Sequence, residues 1–203
     1  MTRRPRASSD RTAHQDMPFY VGATRPGAVG WTRILLTLVM GAVLVVLLLV
    51  RPLTPGPLMP VMAALLFVGY ALWTWMRLAT RFIVDGHGVT VSWGGMLPQP
   101  VWPLEEMRTV QLREIPAETL GVTVGGVGWR RGRVMSGDPG ERRPVGDRRV
   151  WTTGHTQDPY VSLVTRPGTA VEIMGRENRH FLITPVDVDA TAAAIDQALR
   201  ARR

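Results

Sequence analysis

The sequence predicts a membrane-anchored α+β protein, in which a transmembrane helical hairpin precedes a mostly antiparallel β-barrel that carries a C-terminal helix. Three observations lead there. Residues 34–50 and 52–76 contain no charged side chain. After residue 80 the apolar residues recur every second position, the period of a half-buried strand. From about residue 187 they recur at helical spacing along one narrow stripe. A chain of 203 residues has no water-soluble core large enough to hide both uncharged runs as well as its strands.

Residues 1–30 hold five arginines and follow neither period, so they predict a disordered basic tail. Next, Ile34 to Val50 reads ILLTLVMGAVLVVLLLV. At the helical rise it covers about 26 Å, and adding Trp31–Arg33 brings a first helix of 31–50 to roughly the thickness of a bilayer core. The second run opens with PLTPGPLMP, whose prolines suit a turn and the first turn of a helix, placing the second span at about 57–77. It closes with WTWMR, so Trp73 and Trp75 lie at headgroup depth with Arg77 and Arg81 beyond them. Neither run has the polar face of a helix in a soluble bundle. A second run so close behind the first also argues against a cleaved leader. The hairpin accordingly occupies 31–80.

Arginine placement predicts the orientation. Arg3, Arg4, Arg6, Arg11, Arg25 and Arg33 flank the N-terminal side of the first apolar run, Arg51 alone lies between the runs, and Arg77 and Arg81 follow the second. The positive-inside rule then puts both termini in the cytoplasm and makes the chain a multi-pass protein of a bacterial inner membrane. All 24 basic residues are arginine, a bias of GC-rich bacterial genomes. The formal charge is +8, of which +4 falls on residues 1–33, while residues 81–203 are nearly balanced. The excess is therefore a signal of topology, and no nucleic-acid partner is expected. The absence of cysteine excludes disulfides, zinc-thiolate sites, iron-sulfur clusters and thiol nucleophiles.

Residues 81–203 form the predicted cytoplasmic domain. RFIV and VTVSW, joined by the turn signal DGHG, predict strands near 80–84 and 89–94. Val101 and Trp102 predict a short edge strand stopped by Pro103, and RTVQLREI a fourth strand with Val110 and Leu112 inward. GVTVGGVGWR reads as a glycine-weakened strand or a loop leading into one. Residues 130–158, rich in Gly, Pro and Arg, predict a long loop. YVSLVTR, AVEIMGR and HFLIT give three more strands, joined by RPGT and GREN turns. Val188, Ala192, Ile195 and Leu199 form the stripe of a helix at about 187–202, with Asp187 or Asp189 as its cap. The expected core is Val91, Trp93, Leu163, Val171, Ile173, Phe181, Ile183, Ile195 and Leu199.

Two membrane helices followed by RFIVDGHGVTVSW, VWPLEEMRTVQL, LGVTVGGVGWR and VSLVTRPGTAVEIMGRENRHFLITPVDVDATAAAIDQAL resemble small bacterial two-helix membrane proteins with a C-terminal PH-like (pleckstrin-homology-like) domain, a group of uncharacterised function. The likeness covers about residues 31–203 and is strongest in the final block. It implies a PH-like barrel with a C-terminal helix. Its motifs mark turns and core positions, so it implies no catalytic residue.

No chemistry converges in the sequence. His87 lies in a glycine turn, and His155 and His180 have no partner at ligand spacing, so neither a metal nor a cofactor is expected. Glu105 and Glu106 are adjacent, pointing to opposite faces of a strand or to the solvated side of a helical turn. GVTVGGVG lacks the GK[ST] ending of a phosphate loop. The chain is thus read as non-enzymatic. The basic insert gives one candidate site: Arg130, Arg131, Arg133, Arg142, Arg143, Arg148 and Arg149, for anionic phospholipid headgroups of the adjacent bilayer. The expected role is to present a PH-like domain for protein or lipid interaction at the inner face. The alternative is an accessory subunit that meets another membrane protein through Gly41, Ala42, Ala63, Ala64 and Gly69.

Overall fold

The described residues of both uncharged runs are largely helical. A computed structural model of the chain describes residues 18–51, 56–115, 126–131, 142–147, 149–150, 159–176 and 180–202. Helix α1 spans Ala28–Val50 and helix α2 spans Leu58–Leu78, and both are long and apolar enough to cross a membrane. They pack antiparallel in one register: Gly30 meets Leu78 near one end, and Gly41 meets Phe67 further along. At Gly41 a Cβ would stand 2.6 Å from the Phe67 Cβ, so only glycine admits this approach. The remaining faces carry leucine, valine and methionine outward. Thr32, Thr37 and Thr74 donate their hydroxyls to the carbonyls one turn back (Ala28, Arg33 and Tyr70), so these polar groups need no water.

The strands divide into two sheets. The first contains β1 (Tyr20–Ala23), β2 (Thr80–Val84), β3 (Gly88–Trp93) and β4 (Leu97–Pro98) in that order, with β5 (Trp102–Pro103) also on β3. A single 3-10 turn, Leu104–Glu106, leads to β6 (Met107–Ile115). The second sheet combines β6 with β7 (Gly126–Arg131), β8 (Arg142–Pro144), β9 (Pro159–Val164), β10 (Gly168–Gly175) and β11 (His180–Ile183) in the order β7-β9-β11-β10-β6-β8. Helix α3, Val188–Ala201, follows. Among the described residues the sheets do not close into a barrel, in contrast to the expectation. Pro98 and Pro103 lie in β4 and β5, and proline cannot donate to a ladder, so both strands stop after two residues.

The main core lies between the sheets and under α3. Phe82, Val84, Val89, Val91 and Trp102 come from the first sheet, Val110, Leu163, Val171, Ile173, Phe181 and Ile183 from the second, and Ala192, Ile195, Ala198 and Leu199 from the helix. Trp102 stacks on Phe181 with ring centroids 5.1 Å apart. Asp187 caps α3, its Oδ1 accepting from the Ala190 N–H at 3.0 Å.

Several expectations need correction. Residues 20–23, read as part of a disordered tail, form β1 and pair with all of β2 except Thr80. The driving contact is Phe82, fully buried, with the Tyr20 ring 6.2 Å away and Phe19 packed on the same core. Trp93 is only half-buried and stands outside the core, because at the end of β3 its ring packs on Trp73 of α2. Residues 142–144, inside the expected loop, add β8 to the free edge of β6. Finally, β9 and β10 do not pair although only three residues join them. β11 lies between them, antiparallel to β10 and parallel to β9. Thr184 secures this crossing: its N–H donates to Leu163 O at 3.1 Å and its hydroxyl accepts from Thr165 N–H at 2.9 Å.

Candidate functional site

The junction between helices and sheets is built without a linker. The chain leaves β1 at Ala23 and enters α1 at Ala28; it leaves α2 at Leu78 and enters β2 at Thr80. Because β1 pairs with β2, the two helix ends nearest the sheets are tied by a β-ladder. Thr24 tightens the tie. Its hydroxyl donates to Leu78 O at 2.9 Å, lies 2.7 Å from the Thr80 hydroxyl, and accepts from the Thr80 N–H at 3.2 Å, while its own N–H donates to Thr80 O at 2.8 Å. Both threonines are buried, which makes these hydrogen bonds costly to lose. The second sheet joins the same region: Gly27 N–H donates to Thr165 O, and Val186 N–H to Ala23 O.

The seven arginines of the candidate lipid site do not share one role. Arg130 and Arg131 end β7, opposite Tyr160 and Pro159 of β9. Arg133 and Arg148 lie outside the described residues. Arg143 and Arg149 are exposed. Arg142 departs from the set, because its Nε stands 3.4 Å from Glu172 Oε2 and its side chain is 12% exposed. Successive residues of a strand face opposite ways, so Arg142 turns inward where Arg143 turns outward.

Arg142 joins a cluster that sequence reasoning missed. On the face of the second sheet away from the main core, Glu172 is wholly buried. Its Oε1 accepts from Arg113 at 3.0 Å and its Oε2 from the Gln111 amide at 2.7 Å. Register explains the meeting: Glu172 lies directly opposite Gln111, and Arg113 lies opposite both Ala170 and Arg142. One carboxylate thus ties β10, β6 and β8 together. Leu182, Ile115, Val164 and Ala170 form a small apolar cluster on the same sheet and exclude water from that face. With both oxygens engaged and no exposed surface, the carboxylate is built as a staple and is out of reach of a substrate. The sequence signal was slight. TVQLR and AVEIM alternate correctly, but alternation gives the face of a residue and not its partner.

The remaining candidates stay apart. Glu105 and Glu106 are the last two residues of the 3-10 turn, the helical-turn alternative. His87 sits in the β2–β3 turn, where Asp85 Oδ1 accepts from the His87 and Gly88 N–H groups, and its carbonyl accepts from Leu104 N–H. His180 is buried, its Nδ1 accepting from Gly175 N–H at 3.3 Å. His155 and the first part of the glycine segment, 121–125, lie outside the described residues. Among the described residues no group of three or more His, Cys, Asp or Glu side chains could hold a metal ion. No family model, curated protein or solved structure matches the chain.

Proposed function

We propose that α1 and α2 span the inner membrane of a bacterium and hold a PH-like domain against its cytoplasmic face, where the domain binds a protein segment or lipid without catalysing a reaction. The observation that carries this reading is the linker-free junction. A β-ladder and the Thr24–Thr80 hydrogen bonds leave the domain no hinge at the helix ends, so its surfaces keep a fixed height and tilt over the bilayer. That construction suits presentation of a surface. The outward leucines of both helices, Leu36, Leu47, Leu65 and Leu66 among them, support the spanning role, since an apolar surface this extensive is costly in water and favoured in lipid. Anionic lipid remains the partner proposed for Arg130, Arg131, Arg133, Arg143, Arg148 and Arg149, and Arg142 is reassigned to Glu172.

Reporter fusions to the full chain test the topology. A fluorescent protein joined after Arg203 is expected to glow in a bacterial host and alkaline phosphatase there to be inactive; the reverse pair of results overturns the reading. A second reading, accessory subunit of a larger membrane complex, draws on Gly69. That glycine is exposed, with no heavy atom within 4 Å of where a Cβ would stand, so a further helix could approach closely there. Crosslinking in native membranes separates the two: a stoichiometric integral partner favours the subunit, and its absence favours the module.

A further inference from the structure

The two ends of the β2–β3–β4 meander have opposite chemistry. The turn remote from the helices, Asp85–Gly88, is polar. The turn beside the helices reads Trp93-Gly94-Gly95-Met96-Leu97, with Met96 71% and Leu97 46% exposed. Its backbone is a tight hairpin: Met96 N–H donates to Trp93 O at 3.0 Å, and Gly94 and Gly95 take φ of +58° and +77°, the pair of positive angles that a type I′ turn requires.

This turn lies alongside α2 and not beyond its end. Thr80, the first residue of β2, is paired with Trp93, the last of β3, so the turn that follows Trp93 continues past the start of β2. Gly94 N–H then donates to Met76 O at 2.9 Å, inside the last turn of α2, and satisfies a carbonyl that the helix end leaves open. The Trp93 ring meets Trp73, one turn further into the helix, edge-on at 5.3 Å. Arg77 sits 5.7 Å over the Trp93 ring, and the Arg81 stem lies beside Gly95. Trp73 and Trp75 are themselves partly exposed. Aliphatic side chains, aromatic rings and then arginines are the order in which a protein surface crosses from acyl chains to headgroups, and all three meet at this tip. The tip is also continuous with the apolar surface of α2.

We infer that the β3–β4 turn is a third membrane contact: Met96 and Leu97 insert into the interfacial layer of the bilayer beside Trp73, so that the domain rests on lipid as well as on its two helices. This rests on the proposal that α1 and α2 span a bilayer. The occupant is lipid because the tip sits at the depth of Met76 on a helix that roughly matches the hydrocarbon thickness at about 32 Å.

The absence of native cysteine makes the test direct. Full-length Met96→Cys, Leu65→Cys and His87→Cys variants are labelled with an environment-sensitive fluorophore and reconstituted into phosphatidylcholine/phosphatidylglycerol vesicles, with and without nitroxide-bearing lipid. The label at 96 is expected to be quenched by the nitroxide lipid and to be several-fold less accessible to aqueous iodide than the label at 87. If 96 behaves like 87 while 65 is quenched by the lipid, the third contact is overturned and the spanning hairpin stands. If 65 is not quenched by the lipid, both fall. A label at 96 shielded from iodide yet unaffected by the nitroxide lipid means that protein, such as a second copy of the chain, covers the tip, and this too overturns the inference.

Discussion

Among the described residues, one cluster of buried polar side chains lies at the junction and another in the second sheet, and the two are built differently. At the junction, Thr24 and Thr80 use neutral hydroxyls against backbone groups, in a site where each donor has an acceptor. In the second sheet, Glu172, Arg113 and Arg142 bury full charges, with Gln111 as the one neutral member. Each includes a tie between residues more than fifty positions apart. A neutral network costs little to form and modestly to lose. A buried ionic one costs several kcal/mol to desolvate and is tolerable only while every charge is matched. The junction therefore sets the position of the domain at small energetic risk, whereas the Glu172 cluster makes one strand register far better than any other.

Substitutions can break this contrast. Glu172→Ala leaves two guanidinium groups without their carboxylate, one of them deeply buried, and should lower stability by about 3–5 kcal/mol. Denaturant titration of the detergent-solubilised full chain measures this, and a loss below about 1 kcal/mol would remove the staple from the account. Replacing Glu172, Gln111, Arg113 and Arg142 together by apolar residues of similar volume should recover most of that loss, since matched removal of buried charge is often neutral. Thr24→Val comes next, at about 1–3 kcal/mol, because Leu78 O and Thr80 N–H each lose a partner. Adding Thr80→Val should cost little more, as the two hydroxyls share one hydrogen bond; an additive double variant contradicts the coupling. Arg149→Ala, exposed beyond β8, should change stability by no more than about 0.5 kcal/mol.

What could be read in advance follows the range of the interaction that fixes each element. The two apolar helices, α3 with its Asp187 cap, and the β2–β3 hairpin are set by residues within a turn or two of each other, and each is visible in the sequence. β1 is not, because YVGA has no period and becomes a strand only against Phe82, some sixty residues away. Trp93 shares the parity of Val89 and Val91, yet the strand outruns the core before reaching it. The candidate lipid site divides for the same reason: seven arginines are plain in the sequence, but that Arg142 faces Glu172 depends on the register of β8 against β6. A fragment beginning at residue 81, the expected domain boundary, would lack β1, Thr24 and Thr80 together.

The insertion of β11 between β9 and β10 also bears on biosynthesis. β9, a three-residue turn and β10 emerge from the ribosome as an antiparallel pair in waiting, and nothing local prevents them from zipping together. The native sheet needs that gap held open, or reopened, until residues 180–183 arrive to fill it. The six-stranded sheet is thus completed last, after the hairpin has been made, and a premature β9–β10 pairing is the kinetic trap this order invites.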